Sequence, residues 1–375
     1  MIHVGDKVQE INGILVRNKD PKEMVMILSR LSGPVTLKLG PTEAGDTGMQ
    51  ERSSNTRVKA LFDYNPREDP LIPCQDAGLQ FKKGDILHIV SQDDPLWWQA
   101  KKEGDATSSA GLIPARLLQE SPCRISPRIK RSKKVRKMMY QAVQSGEFDH
   151  GEIATYEEVE LFHPRSGIYR PLVLVGPPHV GRNELKRRLI ASNPGHFAEV
   201  VPYTSRPKRP FEEYGREYNF ITREEMESGI LAQRFVEHGE YRGNLYGIRL
   251  DSITSIIRAG KVCILTPNVQ AIKAVRTAEL RPFIIYIRPP SLERLKDSRK
   301  NQKAMVTLED GDTRSFDDED YESMTILSQK LEDTYGHLFD KVITNNHLPI
   351  ATTELVKIAQ SVETDPHWVP ISWLQ

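Results

Sequence analysis

The residues of this chain with the clearest chemical potential fall into two groups. The first is a loop pattern, Gly176-Pro177-Pro178-His179-Val180-Gly181-Arg182-Asn183, which follows the apolar run Leu172-Val173-Leu174-Val175 and opens a segment rich in Glu, Leu, Lys and Arg. A buried strand, a glycine turn and a helix N-terminus form a cradle for phosphate, because backbone N–H groups and the helix dipole converge on an anion. Transfer of phosphate from such a loop also needs a Lys to reach the β/γ-phosphates and a Ser or Thr hydroxyl to hold Mg²⁺. Those two places hold Arg182 and Asn183. Arg keeps the charge, but as a planar fork rather than a compact ammonium. Asn is a poor replacement for the hydroxyl ligand. The loop reads as a phosphate-binding shape without transfer chemistry.

The second group lies downstream: Arg206 and Arg209 in TSRPKRP, Tyr218 in GREYNF, then Glu237 and Tyr246 in FVEHGEYRGNLYG. Guanidinium forks bind phosphate bidentately, and phenol hydroxyls add directional donors. Upstream, a charge run includes Lys130, Arg131, Lys133, Lys134, Arg136 and Lys137. Such a run is either a solvated linker or a docking patch for an acidic protein surface or anionic lipid headgroups.

These residues need elements to hold them. A chain of 375 residues suggests two to three domains with real cores. Lys plus Arg (52) nearly cancels Asp plus Glu (51), so no global field draws in nucleic acid. Cys74, Cys123 and Cys263 are widely spaced, form no metal pattern and suggest a reducing, intracellular setting. No run approaches the length of a membrane span and the first residues lack the shape of a signal peptide, so a soluble protein is expected. No metal or cofactor is expected.

Residues 1–40 read strand, helix, strand: a turn at Asn12-Gly13, helical spacing at Met24, Ile27, Leu28 and Leu31, and alternation at Val35-Leu37-Leu39. Residues 41–55 have a linker composition. Residues 56–120 contain short alternating strands (VKALFDYNP, LQFKKGDILHIV, WWQAKK, GLIPARLL) broken by Pro, Gly and Asp, the pattern of a small β-barrel. Within 171–362, the apolar runs Leu172–Val175, Val262–Leu265 and Phe283–Ile287 alternate with helical segments, which predicts an α/β unit with a parallel sheet. TYEEVELF at 155–162 and HWVPISWL at 367–374 also read as strands.

Several of these stretches resemble known families. VGDKVQEINGILV, a short helix and PVTLKL resemble the second half of a PDZ domain, so the chain is expected to begin inside that domain and to lack peptide capture by strand addition. ALFDY, FKKGD, WW and GLIP, in that order, resemble an SH3 domain. That resemblance places Phe62, Tyr64, Trp97 and Pro114 in a polyproline groove, but the groove Tyr expected after the IP motif is Leu117, and the 65–79 loop is long and holds three prolines. Polyproline binding is therefore expected to be impaired. The order of the Arg, Tyr and Glu residues in 171–362 closely resembles guanylate kinase. The resemblance implies that Arg206, Arg209, Tyr218 and Tyr246 hold the GMP phosphate and that Glu237 reads the guanine edge.

The departures from that family point one way. Pro202 replaces a Ser, Ile248 replaces a small hydroxyl residue, and Thr266-Pro267-Asn268 replaces an acidic pattern after the third strand. Arg299 and Arg314 fall in no catalytic-Arg motif. A pseudoenzyme is expected, the alternative being a residual guanylate kinase or GMP-binding protein.

Taken in order, these units resemble a membrane-associated guanylate kinase (MAGUK) scaffold, and the WVPISWL ending is most similar to the palmitoylated membrane protein subfamily. The resemblance implies a multidomain chain: 1–40 the C-terminal half of a PDZ domain (α+β), 41–55 linker, 56–120 SH3 barrel, 121–154 basic hinge, 155–170 a strand completing a split SH3, 171–362 the kinase-like domain with its P-loop, and 363–375 a C-terminal strand returning to the SH3. It further implies a non-catalytic adaptor, cytoplasmic and peripheral to plasma membrane or cell junctions. Its partners would be phosphopeptides, band 4.1-class FERM proteins at the basic hinge, and polarity or junction proteins. Because upstream modules fall outside it, the sequence is expected to be a shortened isoform or a fragment with a narrower scaffolding range.

Overall fold

The computed structural model describes residues 7–16, 35–40, 56–105, 109–120, 155–165, 167–299, 303–305 and 313–374. The basic stretch from Lys130 to Lys137 and the helix expected around Met24–Leu31 lie outside the described residues.

At the N-terminus, Lys7–Ile11 pairs antiparallel with both Ile14–Leu15 and Leu37–Gly40. Asn12 (φ 47°) and Gly13 (φ 82°) both turn left-handed, as a two-residue hairpin requires.

The largest antiparallel sheet has six strands, in the order His367–Pro370, Tyr156–Phe162, Arg57–Ala60, Ile86–Ser91, Trp97–Lys102, Gly111–Pro114. Its inner face packs Val58, Ala60, Phe81, Leu87, Ile89, Ala100, Ile113 and Tyr156. The alternation of buried and partly exposed residues along Ile86–Ser91 is what a half-buried strand needs. The terminal strand is shorter than the sequence pattern suggests. It stops at Pro370, which has no N–H to extend a ladder, and Ile371–Trp373 forms a 3-10 turn.

The kinase-like unit is built on a five-stranded, all-parallel sheet: Phe197–Glu199, Val262–Leu265, Leu172–Val175, Phe283–Arg288, Lys341–Thr344. Its central strands are runs of buried, mostly apolar residues, broken only at the end by Arg288, because both faces are covered. Leu172, Leu174, Ile264 and Ile285 point into one core with Leu185, Leu189 and Leu355, whereas Val173, Val175, Cys263 and Tyr286 point into the other with Ile253 and Leu331. Beside it stands a four-stranded sheet, Asn219–Phe220, Tyr203–Thr204, Asn244–Arg249, Phe235–Tyr241. The helix Arg223–Leu231, whose start is fixed by a capping box between Thr222 and Glu225, packs on it.

The six-stranded sheet and the kinase-like unit meet along a polar seam. Arg276 forks onto Glu157 at 2.8 and 2.7 Å and lies over the Trp373 ring at 5.0 Å. Lys59 reaches Asp340 at 3.4 Å, Lys83 donates to the Glu332 carbonyl at 3.4 Å, and Phe283 contacts His367 at 5.3 Å.

Candidate functional site

The phosphate-type loop occupies the turn between Leu172–Val175 and the helix Arg182–Ser192. Two glycines give it its shape. A Cβ at Gly176 would stand 2.5 Å from the Ile287 carbonyl oxygen, and Gly181 caps the helix at φ 102°. Its side chains do other work. Arg182 donates from Nη1 to the Pro267 carbonyl at 3.0 Å, and burial pushes its pKa down, with Glu237 as the opposing charge. Asn183 is exposed. His179 turns its ring edge toward Phe316, which belongs to the small cluster of Leu295, Tyr321 and Met324.

The second group of residues converges on the four-stranded sheet. Thr204 and Tyr246 are cross-strand partners, so Arg206, just beyond Thr204, emerges next to Tyr246. The Arg206 guanidinium lies 5.5 Å from the Tyr218 ring and 5.7 Å from the Phe220 ring, and the Tyr218 and Tyr246 rings are 5.8 Å apart. Arg206 also hydrogen-bonds Tyr246. Buried Thr204 donates from Oγ1 to the Leu245 carbonyl and accepts the Arg206 N–H, which holds the loop exit in place.

The carboxylate that organises this cluster is Glu212, which the motif reading did not single out. Arg206 donates to it from Nη1 at 3.0 Å and Nη2 at 2.7 Å, and the Arg209 backbone N–H donates to it at 2.9 Å. The Arg206–Glu212 hydrogen bonds push the Arg206 pKa up and the Glu212 pKa down. The available signal was spacing: an acid six residues after one Arg and three after the other. Arg209 itself stands at the surface.

Glu237 shares a sheet face with Tyr246 but bonds elsewhere. Gly239 pairs with Tyr246 and Glu237 with Ile248 across the hairpin, and alternation puts Glu237 and Tyr246 on one side. Its Oε1 accepts the Asn268 N–H at 2.8 Å. Burial pushes its pKa up, opposed by that N–H and by Arg182. The structure thus gathers Arg206, Tyr218 and Tyr246 with Glu212, and sets Glu237 and Arg182 of the phosphate loop on either side of the Pro267-Asn268 turn, which both bond.

In the barrel, the four residues read as a groove are mostly interior. Tyr64 and Trp97 are 6% and 9% exposed, Pro114 is buried and Phe62 half-buried. The 65–79 loop closes over Tyr64, and the Phe81 and Tyr156 rings pack on Phe62 at 5.2 and 5.3 Å. Tyr64 donates to buried Asp69 at 3.0 Å, and Ile72 packs in the same core. Gly78 lets the loop close, since a Cβ there would meet Pro66 at 2.2 Å. Tyr156 then donates to the Pro114 carbonyl at 2.8 Å. Leu117 points to solvent, 65% exposed.

Among the described residues, no cluster of His, Cys, Asp or Glu could hold a metal ion, and no helix is long and apolar enough to cross a membrane.

Comparison with known proteins accords with this geometry. The guanylate kinase family matches residues 168–362 and the variant SH3 domain family residues 57–121. MAGUK p55 subfamily member 7 of Danio rerio is 44% identical over 398 residues, an alignment covering all of this chain and 69% of the relative. Protein PALS2 of Homo sapiens is 42% identical over 386 residues, again covering all of this chain and 69% of the relative. The chain belongs to the MAGUK family, in its p55/PALS branch. As a MAGUK it is a scaffold, and the family's role at membranes and junctions applies to it. Its guanylate-kinase-like unit is a pseudoenzyme, in keeping with a loop that carries Arg182 and Asn183 where phosphoryl transfer needs Lys and a hydroxyl.

Proposed function

We propose that this MAGUK scaffold binds partner peptides through the Arg206 cluster and that the group it reads there is a phosphoserine. The observation that carries this reading is Arg206 itself, a nearly buried cation held among Tyr218, Tyr246, Phe220 and Glu212, with Arg209 at the rim. A phosphate monoester offers several strong acceptor oxygens to such a set of donors. GMP carries the same group, so GMP binding without turnover is an outcome the test must separate.

The remaining assignments extend this proposal. Tyr156–Phe162 and His367–Pro370 complete a split SH3 fold, a reading supported by the pairing of His367–Pro370 onto Tyr156–Phe162 and of that strand onto Arg57–Ala60. The three-stranded sheet at the N-terminus is the remainder of a PDZ domain. The basic stretch Lys130–Lys137 docks a FERM-type cytoskeletal protein or an anionic lipid surface, and polarity or junction proteins are the cargo. The folded-back 65–79 loop supports an SH3 unit that does not bind polyproline.

The test is capture by the whole chain from phosphatase-treated and untreated lysate, repeated with Arg206→Ala/Arg209→Ala. Phosphate-dependent capture that the double variant loses, with an unchanged circular dichroism spectrum, is the expected result. Equal capture by the variant would falsify the pocket assignment. A parallel assay with GMP, ATP and Mg²⁺ should give no turnover, and calorimetry with GMP alone reports the nucleotide outcome.

A further inference from the structure

The pocket that reads phosphate already contains a carboxylate. Glu212 takes both terminal nitrogens of Arg206 and the backbone N–H of Arg209, and the Arg206 and Glu212 side chains are 8% and 14% exposed. Arg206 also donates to the Pro207 carbonyl at 2.9 Å, so its terminal donors are engaged in the free protein. We propose that Glu212 is a specificity-determining residue that makes this site select phosphate over carboxylate. The proposal rests on the phosphoserine reading given above.

Selectivity at this site comes from competition for Arg206. A glutamate or aspartate on a partner peptide offers one charge and two oxygens, the same as Glu212. Glu212 is tethered six residues from Arg206, so it acts at a high effective concentration, and a peptide carboxylate must replace it at an entropic cost with nothing gained. A phosphoserine brings about −1.5 to −2 charges and three acceptor oxygens. That surplus lets it engage Arg209 and the hydroxyls of Tyr218 and Tyr246 in the presence of Glu212. Without the Glu212 charge, the pocket would become a general anion site open to any acidic peptide. A practical consequence is that replacing a partner's phosphorylated Ser by Glu would not mimic the phosphate here.

Random peptide arrays with a central phosphoserine, glutamate or serine test this on the whole chain, compared with Glu212→Gln and with the exposed neighbour Glu213→Gln. The wild-type chain and Glu213→Gln should retain the phosphoserine array and ignore the other two. Glu212→Gln should gain the glutamate array, so that the preference for phosphate falls by about tenfold or more. Melting temperature checks that the variant is folded, and Arg206 Nη–H resonances that stay sharp in wild type and broaden in Glu212→Gln report loss of the fork without any ligand. Phosphoserine binding with an unchanged preference in Glu212→Gln overturns the inference and leaves the phosphate reading standing. Equal retention of glutamate and phosphoserine by wild type overturns it as well. Silence of all arrays with all three proteins removes both.

Discussion

Two arginine–glutamate forks of nearly the same geometry sit in different parts of this molecule. Arg206 and Glu212 meet at 3.0 and 2.7 Å, Arg276 and Glu157 at 2.8 and 2.7 Å. Each also borrows an aromatic face: Tyr218 and Phe220 for Arg206, Trp373 for Arg276. The first pair spans six residues and shapes a loop that is already folded beside it. The second spans 119 residues and ties the kinase-like unit to the returning strand Tyr156–Phe162 and the terminal segment. One fork holds a cation within a single loop; the other joins two units. Bond lengths alone do not separate these roles, and what the pair connects does.

The largest effect is expected at the seam. Arg276→Ala leaves Glu157 half-buried without a partner and strips the cover from Trp373. A cost of ~2–4 kcal/mol is expected, since losing one member of a desolvated pair exposes the full burial penalty of the other. Denaturant unfolding should show the lower midpoint, and protease sensitivity should rise between the sheet and the kinase-like unit. A variant that unfolds as one unit at the wild-type midpoint would mean that Arg276 does not join the two.

Acid offers a second handle on the same seam. His337 is held at about 4, chiefly by burial and then by Lys83 from the barrel and by Arg276 and Lys273, with Glu157 opposing. Its folded pKa lies below its unfolded one, so the unfolded chain binds more protons between pH 6.5 and about 4. Stability is therefore complete above that window and falls as pH drops through it. With His337 only partly buried, solvent screening limits the loss to about 1–2 kcal/mol. His367, at the other end of the seam, is also depressed by burial and adds to the same trend. Unfolding midpoints at neutral pH and near the lower end of the window measure this, and His337→Gln should flatten the curve. An equally steep loss in that variant would place the acid-sensitive group elsewhere.

Much of the fold was legible in the chain, for local reasons. Four consecutive apolar residues at Leu172–Val175 announce a strand buried on both faces, and the glycines at 176 and 181 announce the turn after it. Short-range order also marked the Arg and Tyr residues of the pocket. Glu212 escaped because an acid in a charged stretch has no periodicity to distinguish it; only folding shows that it closes on Arg206. The seam escaped for a different reason, since nothing near Glu157 in the chain hints at Arg276. The SH3-type aromatics illustrate a third case. Phe62, Tyr64, Trp97 and Pro114 were recognisable as a set, but whether they line a groove depends on what folds against them: Asp69 draws the 65–79 loop onto Tyr64, and Tyr156 packs on Phe62 and bonds the Pro114 carbonyl.

A third fork, on the helix Arg182–Ser192, has the same geometry but stands at the surface. Arg187 donates to Glu184 from Nε at 2.8 Å and Nη2 at 2.7 Å, distances indistinguishable from the other two. Its side chains are 67% and 35% exposed, and it lies on one turn of the helix Arg182–Ser192. With Arg188 as a second donor, it holds the Glu184 pKa at about 2. Water and salt compete for both partners there, and ordering two long side chains offsets much of the Coulomb gain. Arg187→Ala should therefore leave the unfolding midpoint unchanged within error, at low and at high salt. If it matched the loss from Arg276→Ala, burial and connectivity would not be what sets the worth of these pairs, and the distinction between the seam and the pocket would have to be rebuilt on geometry alone.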